Sequence, residues 1–235
     1  MNVLKPKLIA AERIQAILDY WFTPTWDRNS KTQPSLNPAW WGMKYDTESQ
    51  KMLPMSKEEH EKIDQDIKDQ FLEDLKLSAI RDESGYFNNW RFDKQGRLAI
   101  VILQDQMARN IFRKQAEAFS FEKNVLEIVL EVIKDNREDK SYKFYERMFL
   151  YLPLEHSENI AHQDLCYEMF EELSKDFVDF PDLKKAAEGL MKFSEEHRSI
   201  VKRFGRFPHR NETLGREPTQ EEVNYLNKGG SRFGQ

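Results

Sequence analysis

Apolar residues along this chain recur mostly at intervals of three and four, and no segment sustains the alternation of a strand, so the pattern predicts an all-α protein. The first helix is expected over residues 10–22, ending before Pro24. A polar, proline-containing irregular segment over 23–54 follows; its length predicts that Trp26, Trp40 and Trp41 are tucked against the body of the protein. Ser56 with Glu59 three residues later spells a capping box, opening a second helix that reaches about Ile80. Further helices are expected over 97–112, 116–134 and 140–152, with Pro153 breaking the pattern before a sixth over 154–175. Pro181 opens a seventh helix, which Gly205 ends near Phe204. Thr219 with Glu222 is a second capping box, starting a short terminal helix within a 217–235 tail.

Three of these helices carry stripes that change character along their length. In the third, Leu98, Ile102, Asp105, Arg109 and Phe112 share one face and Ala99, Leu103, Gln106 and Asn110 the next; both turn polar toward the C-terminus. In the sixth, Leu154, Glu158, Ala161, Leu165 and Met169 share a face beside Glu155, His162 and Cys166, with the polar end N-terminal. In the seventh, Leu183, Ala186, Leu190, Phe193, His197, Ile200 and Phe204 form the expected buried stripe. Short connections favour antiparallel neighbours, so alternate helices point the same way. By that parity the polar ends of the third, sixth and seventh helices fall at one end of the molecule. Asp105, Gln106, Arg109, Asn110, Glu155, His156, Glu158, His197, Arg206, His209, Arg210 and Asn211 are then expected to converge on one patch.

Composition narrows the context. The 235 residues, read as a single helical domain, carry a formal net charge of −5 with 33% charged residues, which argues against a wide basic face and hence against non-specific nucleic-acid binding. The segment His197–Asn211, with two histidines and five cationic side chains, is a local reversal of that charge. One cysteine, Cys166, allows neither an intrachain disulfide nor a Cys-based metal site, and it lies on an inward position where an inert thiol is expected. The N-terminus scatters charges through its apolar residues and no window of 18 apolar residues exists, so a cytoplasmic protein that neither enters nor crosses a membrane is expected.

The chemistry of the expected patch has several readings. His209 follows Pro208 in a turn and is the better-exposed candidate for general acid–base work, with Glu155 or Glu158 orienting it or moving the proton themselves. Arg109, Arg206 and Arg210 with Asn110 and Asn211 suit a small anionic ligand, because guanidinium forks match carboxylate or phosphate. The phosphate-loop and dinucleotide fingerprints are absent, so no nucleotide cofactor is expected. A metal-dependent version would use Glu158, His162 and further histidines, but the usual helical metal motifs are missing and no metal ligands are assigned. Against all of these stands a structural salt-bridge network, with His197 as a hydrogen-bonded core histidine. Trp21, Phe22, Trp40, Trp41 and Trp90 are expected in the core, and the charge run 57–74 on the solvated face of the second helix.

The strings LAIVILQDQMARNIFR (Leu98–Arg113), YLPLEHSE (Tyr151–Glu158) and HRSIVKRFGRFPHRNETLGREPTQEE (His197–Glu222) resemble the DUF924 family of uncharacterised bacterial proteins. The resemblance runs from DYWF near the N-terminus to RFGQ at the end, departing at Gln104, Met107, Leu152 and Pro218 and matching least over 23–54. It implies a tetratricopeptide-like, antiparallel array of seven to eight helices. It brings no activity with it. An enzyme or binding protein for a small anionic ligand, a scaffold for a protein or peptide partner, and a metal-dependent enzyme therefore remain the alternatives.

Overall fold

Local signals place the helix ends well in the computed structural model, which describes residues 4–22, 40, 42–46, 51–134 and 137–233. The chain divides into two compact units, Met1–Ile111 and Phe112–Gln235, and the described residues are all-α apart from one two-stranded hairpin.

In the first unit α1 runs Leu4–Phe22, starting earlier than expected. Strands β1 (Met43–Asp46) and β2 (Lys51–Pro54) pair antiparallel, so part of the segment expected to be irregular is a β-hairpin. Four residues per strand are too few for alternation to stand out in the sequence. Trp40 is buried as expected, its indole N–H donating to the Trp21 carbonyl at 2.8 Å; Trp26 and Trp41 lie outside the described residues. Helix α2 (Lys57–Ala79) begins at the Ser56/Glu59 capping box, with both reciprocal bonds made. One member of its charge run departs from the solvated face. Asp74 is buried, paired with Arg13 of α1 and accepting from the Tyr86 hydroxyl. After a short turn of helix, α3 (Phe87–Trp90), α4 (Lys94–Val101) leads into a π-helical segment, Ile102–Met107, and then α5 (Ala108–Ile111). The core is built from Ile17, Trp21, Phe71, Leu75, Trp90 and the unbroken run Leu98–Leu103.

In the second unit residues Ala116–Phe119 form a separate 3-10 turn, and α6 spans only Glu122–Lys134. Helix α7 spans Phe144–His156, and Pro153 lies inside it rather than breaking it. The proline has no N–H to give the carbonyl four residues back, but the open carbonyls at the end of the helix are met from outside. The Gln163 amide donates to the Glu155 and Ser157 carbonyls, at 2.6 Å each. Helix α8 consequently starts late, at Ile160, capped by Asn159, and runs to Asp176. Helix α9 (Pro181–Phe204) has the expected proline start and an αL glycine, Gly205, as its stop. Helix α10 (Gln220–Asn227) starts at the Thr219/Glu222 capping box. α8 packs between α7 and α9.

The buried face of α9 is rotated from the expected one. At 100° per residue Ser194 falls within roughly 20° of Leu183, whereas Phe193 falls roughly 80° away. Ser194 is fully buried and Phe193 is 59% exposed, which corrects its place in the stripe. Replacing Phe193 with Gln is therefore expected to change stability by no more than about 0.5 kcal/mol, a surface-sized effect, measurable by urea unfolding. A loss near the 3–5 kcal/mol typical of a core phenylalanine would put Phe193 back inside.

Candidate functional site

The polar residues of the first unit owe their setting to the π-helical segment. The Ala108 N–H donates to the Leu103 carbonyl five residues back, and this extra residue in the turn shifts the faces that a 3.6 period assigns. Gln104 and Asp105 are both buried as a result. The Gln104 amide donates to the Ser78 carbonyl at 2.8 Å and lies 3.1 Å from its hydroxyl, which gives this departure from the family pattern a structural use. Asp105 accepts from the Gln106 amide at 2.6 Å, and Arg109 donates to its carbonyl at 2.9 Å. The Arg109 guanidinium also lies 3.5 Å from the Asp105 carboxylate. Asn110 donates to Asp64 on α2 at 2.9 Å. Within the first unit, Asp105, Gln106 and Arg109 are thus joined to one another, and Asn110 to α2.

In the second unit the corner between α7 and α8 meets the turn after α9. Glu155 and His156 sit at the end of α7 rather than the start of the next helix, and Glu158 lies in the corner itself. The reassignment keeps them at the same end, because one corner belongs to both helices. Glu158 is fully engaged. One oxygen accepts the Phe207 N–H at 2.8 Å, and both accept from the Arg216 fork at 2.6 and 3.0 Å. Burial works to raise its carboxyl, but Arg216, the Phe207 amide and the charge of Arg210 outweigh that and hold it below the ordinary carboxylate range.

A second ion pair continues this scaffold. Arg206 donates to both oxygens of buried Glu222, at 2.6 and 2.8 Å, and to the Glu217 carbonyl. Asn211 donates to the same carboxylate at 3.2 Å and accepts from Arg216 at 3.0 Å. Arg206, supported by the Thr219 and Asn211 contacts and opposed by burial, holds Glu222 down at about 2. Arg216 and the ion-pairing role of Glu222 are what sequence reasoning missed. Arg216 stands in the family-like string outside any helix, and its partner is 58 positions away.

The remaining residues gather around His197. Its Nδ1 donates to the Phe193 carbonyl at 2.8 Å, since a carbonyl can only accept, and lies 3.7 Å from the buried Glu155 carboxylate. Burial lowers its pKa to about 3, with His156, Arg210 and His209 pushing the same way and the Phe193 carbonyl opposing. The ring is therefore neutral at pH 7, with its lone pair on Nε2. The His156 ring centroid is 6.5 Å away, and His156 and His209 are half-buried. Arg210 is buried with its guanidinium between the rings of Phe119 and Phe207, at 4.8 and 4.5 Å from their centroids. Cys166 is fully buried, its thiol donating to the Tyr151 carbonyl and pushed up by burial and by Glu155. Its inward setting is the inert one expected.

Glu158 and His162, the i, i+4 pair of the metal reading, are turned to different partners; His162 Nδ1 lies 2.9 Å from the Ser157 hydroxyl. Among the described residues no three His, Cys, Asp or Glu side chains form a group that could hold a metal ion. Nor is any described helix long and apolar enough to cross a membrane.

Fold and site define a predominantly helical protein whose polar groups collect at helix ends and in the turns that follow them. The family model for the bacterial protein of unknown function (DUF924) matches residues 17–230, and the chain belongs to that family. A solved structure, of a protein of unknown function from Agrobacterium tumefaciens, is similar over 94% of this chain and 99% of that one, with 28% identity and a TM-score of 0.69. No curated protein matches.

Proposed function

We propose that the second unit binds a small anionic ligand, and handles a proton on it, at the cluster formed by Glu155, His156, His197, His209 and Arg210. The observation that carries this reading is the company His197 keeps. A neutral, buried histidine has a carboxylate at 3.7 Å and three cationic or titratable groups pressing on it. Stabilisation alone is a poor account of such a cluster, because buried charges cost more to desolvate than their pairing usually returns. Perturbed titrations of this kind collect at functional sites.

The roles divide by setting. Glu158, Arg206 and Asn211 are used up in holding the turn, so they position the site rather than act in it. With a pKa near 3, His197 is too weak a base for proton transfer at neutral pH and serves to orient. His209, half-buried as a residue with both ring nitrogens inside, is the proton carrier, with Arg210 supplying positive charge.

Thermal unfolding in the presence of inorganic phosphate, citrate and other small carboxylates tests the reading. At least one anion at a hundred times its Kd is expected to stabilise the wild type by about 2.7 kcal/mol. His209→Ala is expected to keep its unliganded Tm within a few degrees and lose most of that response. An absence of any response in the wild type, or an undiminished one in His209→Ala, would overturn the assignment.

A further inference from the structure

Residues 229–233 bring an aromatic ring onto His197, and they do so by a built path. Helix α10 ends at Asn227, and two residues on Gly229 has a φ of +84°, a conformation that side-chain-bearing residues rarely adopt. Gly230 then passes against the Tyr225 ring so closely that a Cβ there would lie 2.4 Å from a ring carbon. Its N–H donates to the Tyr225 carbonyl at 3.0 Å. Ser231 is tied twice, by its N–H to the Tyr225 hydroxyl at 3.1 Å and by its own hydroxyl to the Glu196 carboxylate on α9. Two residues on, Phe233 lays its ring on His197, with centroids 3.6 Å apart and planes 17° from parallel.

Two more rings enclose the Phe233 ring. Phe207 stands edge-on to it at 6.3 Å and 81°, and His209 at 5.6 Å and 71°. One stacking face and two upright walls outline a slot for a single planar ring. Glu155, His156, His209 and Arg210 are the titratable and charged groups around its His197 face. Phe233 is only half-buried and is itself held at a φ of +49°. The ring that fills the slot is thus attached by a short tail whose ties are surface contacts, so it can leave without dismantling a helix.

We propose that Phe233 is the built-in occupant of a slot for a planar ring bearing a negative charge, and that Gly229–Phe233 is the latch that closes it. The negative charge rests on the ligand reading above; the ring class and the latch rest on the stacking geometry. An aromatic carboxylate is the ligand class, its ring replacing that of Phe233 on His197 and its carboxylate facing the cationic side of the cluster.

Histidine ring signals in NMR give the test, with benzoate as the probe and cyclohexanecarboxylate as a control of equal charge and no planar ring. Phe233→Ala is expected to bind benzoate at least tenfold tighter than the wild type, with the His197 and His209 signals shifting together, and to prefer it to the control. Ser231→Glu sets a second carboxylate against Glu196 and leaves every slot ring intact, so it is expected to loosen the latch and tighten benzoate binding in the same direction. It also serves if Phe233→Ala folds poorly. Without ligand, His197 in both variants is expected to titrate nearer its ordinary value of 6.5 than in the wild type. Unchanged His197 titration and benzoate affinity in both folded variants would overturn the latch. Equal binding of benzoate and the control would overturn the ring class. Inorganic phosphate separates this from failure of the ligand reading itself, since phosphate that shifts His209 while benzoate shifts nothing sinks only the slot.

Discussion

Asp139→Ala is expected to destabilise the protein by about 3–5 kcal/mol, the range for removing one partner of a buried ion pair. Asp139 is fully buried and accepts from the Tyr151 hydroxyl at 2.6 Å and from Arg137 at 3.0 and 3.2 Å. Arg147, only 2% exposed, lies 3.8 Å away with its other nitrogens on Asp176 at 2.8 Å and Tyr151 at 3.0 Å. Removing the aspartate leaves a buried guanidinium beside a tyrosine hydroxyl that has lost its acceptor, while the Asp176 contact remains. Tyr151→Phe removes a hydroxyl that donates to Asp139 and accepts from Arg147 but keeps the charges, so about 1–2 kcal/mol is expected. Urea unfolding of the two variants side by side is the measurement. Equal small losses would mean that water reaches this network and that burial overstates its weight.

Much of the fold was written locally and could be read there. Ser56 with Glu59, Pro181, Gly205 and Thr219 with Glu222 each act within a few residues, and each marks a helix boundary where expected. What sequence reasoning misplaced depends on contacts far along the chain. Pro153 reads as a breaker, yet α7 runs on past it to an end whose carbonyls are met by Gln163, ten positions after the proline. The π-helical turn that buries Asp105 has no signature in a 3.6-residue pattern. The rotated face of α9 was within reach, since the 100° step alone prefers Ser194 to Phe193.

The candidate site divides along the same line. His197 and Glu155 are legible as polar positions on or beside apolar stripes and His209 as a turn residue after Pro208, and within the second unit they lie near one another. The ion pairs that hold their turn in place, Glu158 with Arg216 and Arg206 with Glu222, join residues 58 and 16 positions apart. No local spacing announces such pairs, so Glu158 and Arg206 read as ligands rather than as supports. Phe233 escaped notice for a different reason. A lone aromatic in a polar tail carries no periodicity, and only its placement on His197 gives it meaning.

Glu158→Ala is expected to cost about 2–3 kcal/mol, because it strips a charge-assisted fork and a backbone donor of one shared acceptor. Glu158→Gln can still accept the Phe207 N–H, so it should retain roughly half of that. The pH dependence has a definite sign. Glu158 is held below 4.5 and Glu222 at about 2, so both contribute stability that is complete above pH 4.5 and is lost as pH falls toward 2. His197 acts in the same direction over a higher window, since a histidine kept neutral down to about 3 in the fold protonates near 6.5 once unfolded. Wild-type stability should therefore decline in two stages on acidification, and Glu158→Ala should flatten only the lower one. Glu158 acts on the site through the Phe207 amide, which it fixes two residues before His209. The variant should accordingly weaken anion binding even at temperatures where it is fully folded, and Glu158→Gln should restore part of the affinity. If Glu158→Ala unfolded early but bound anions as the wild type does while folded, the corner would be a stability element alone, and the geometry of His209 would have to be set elsewhere.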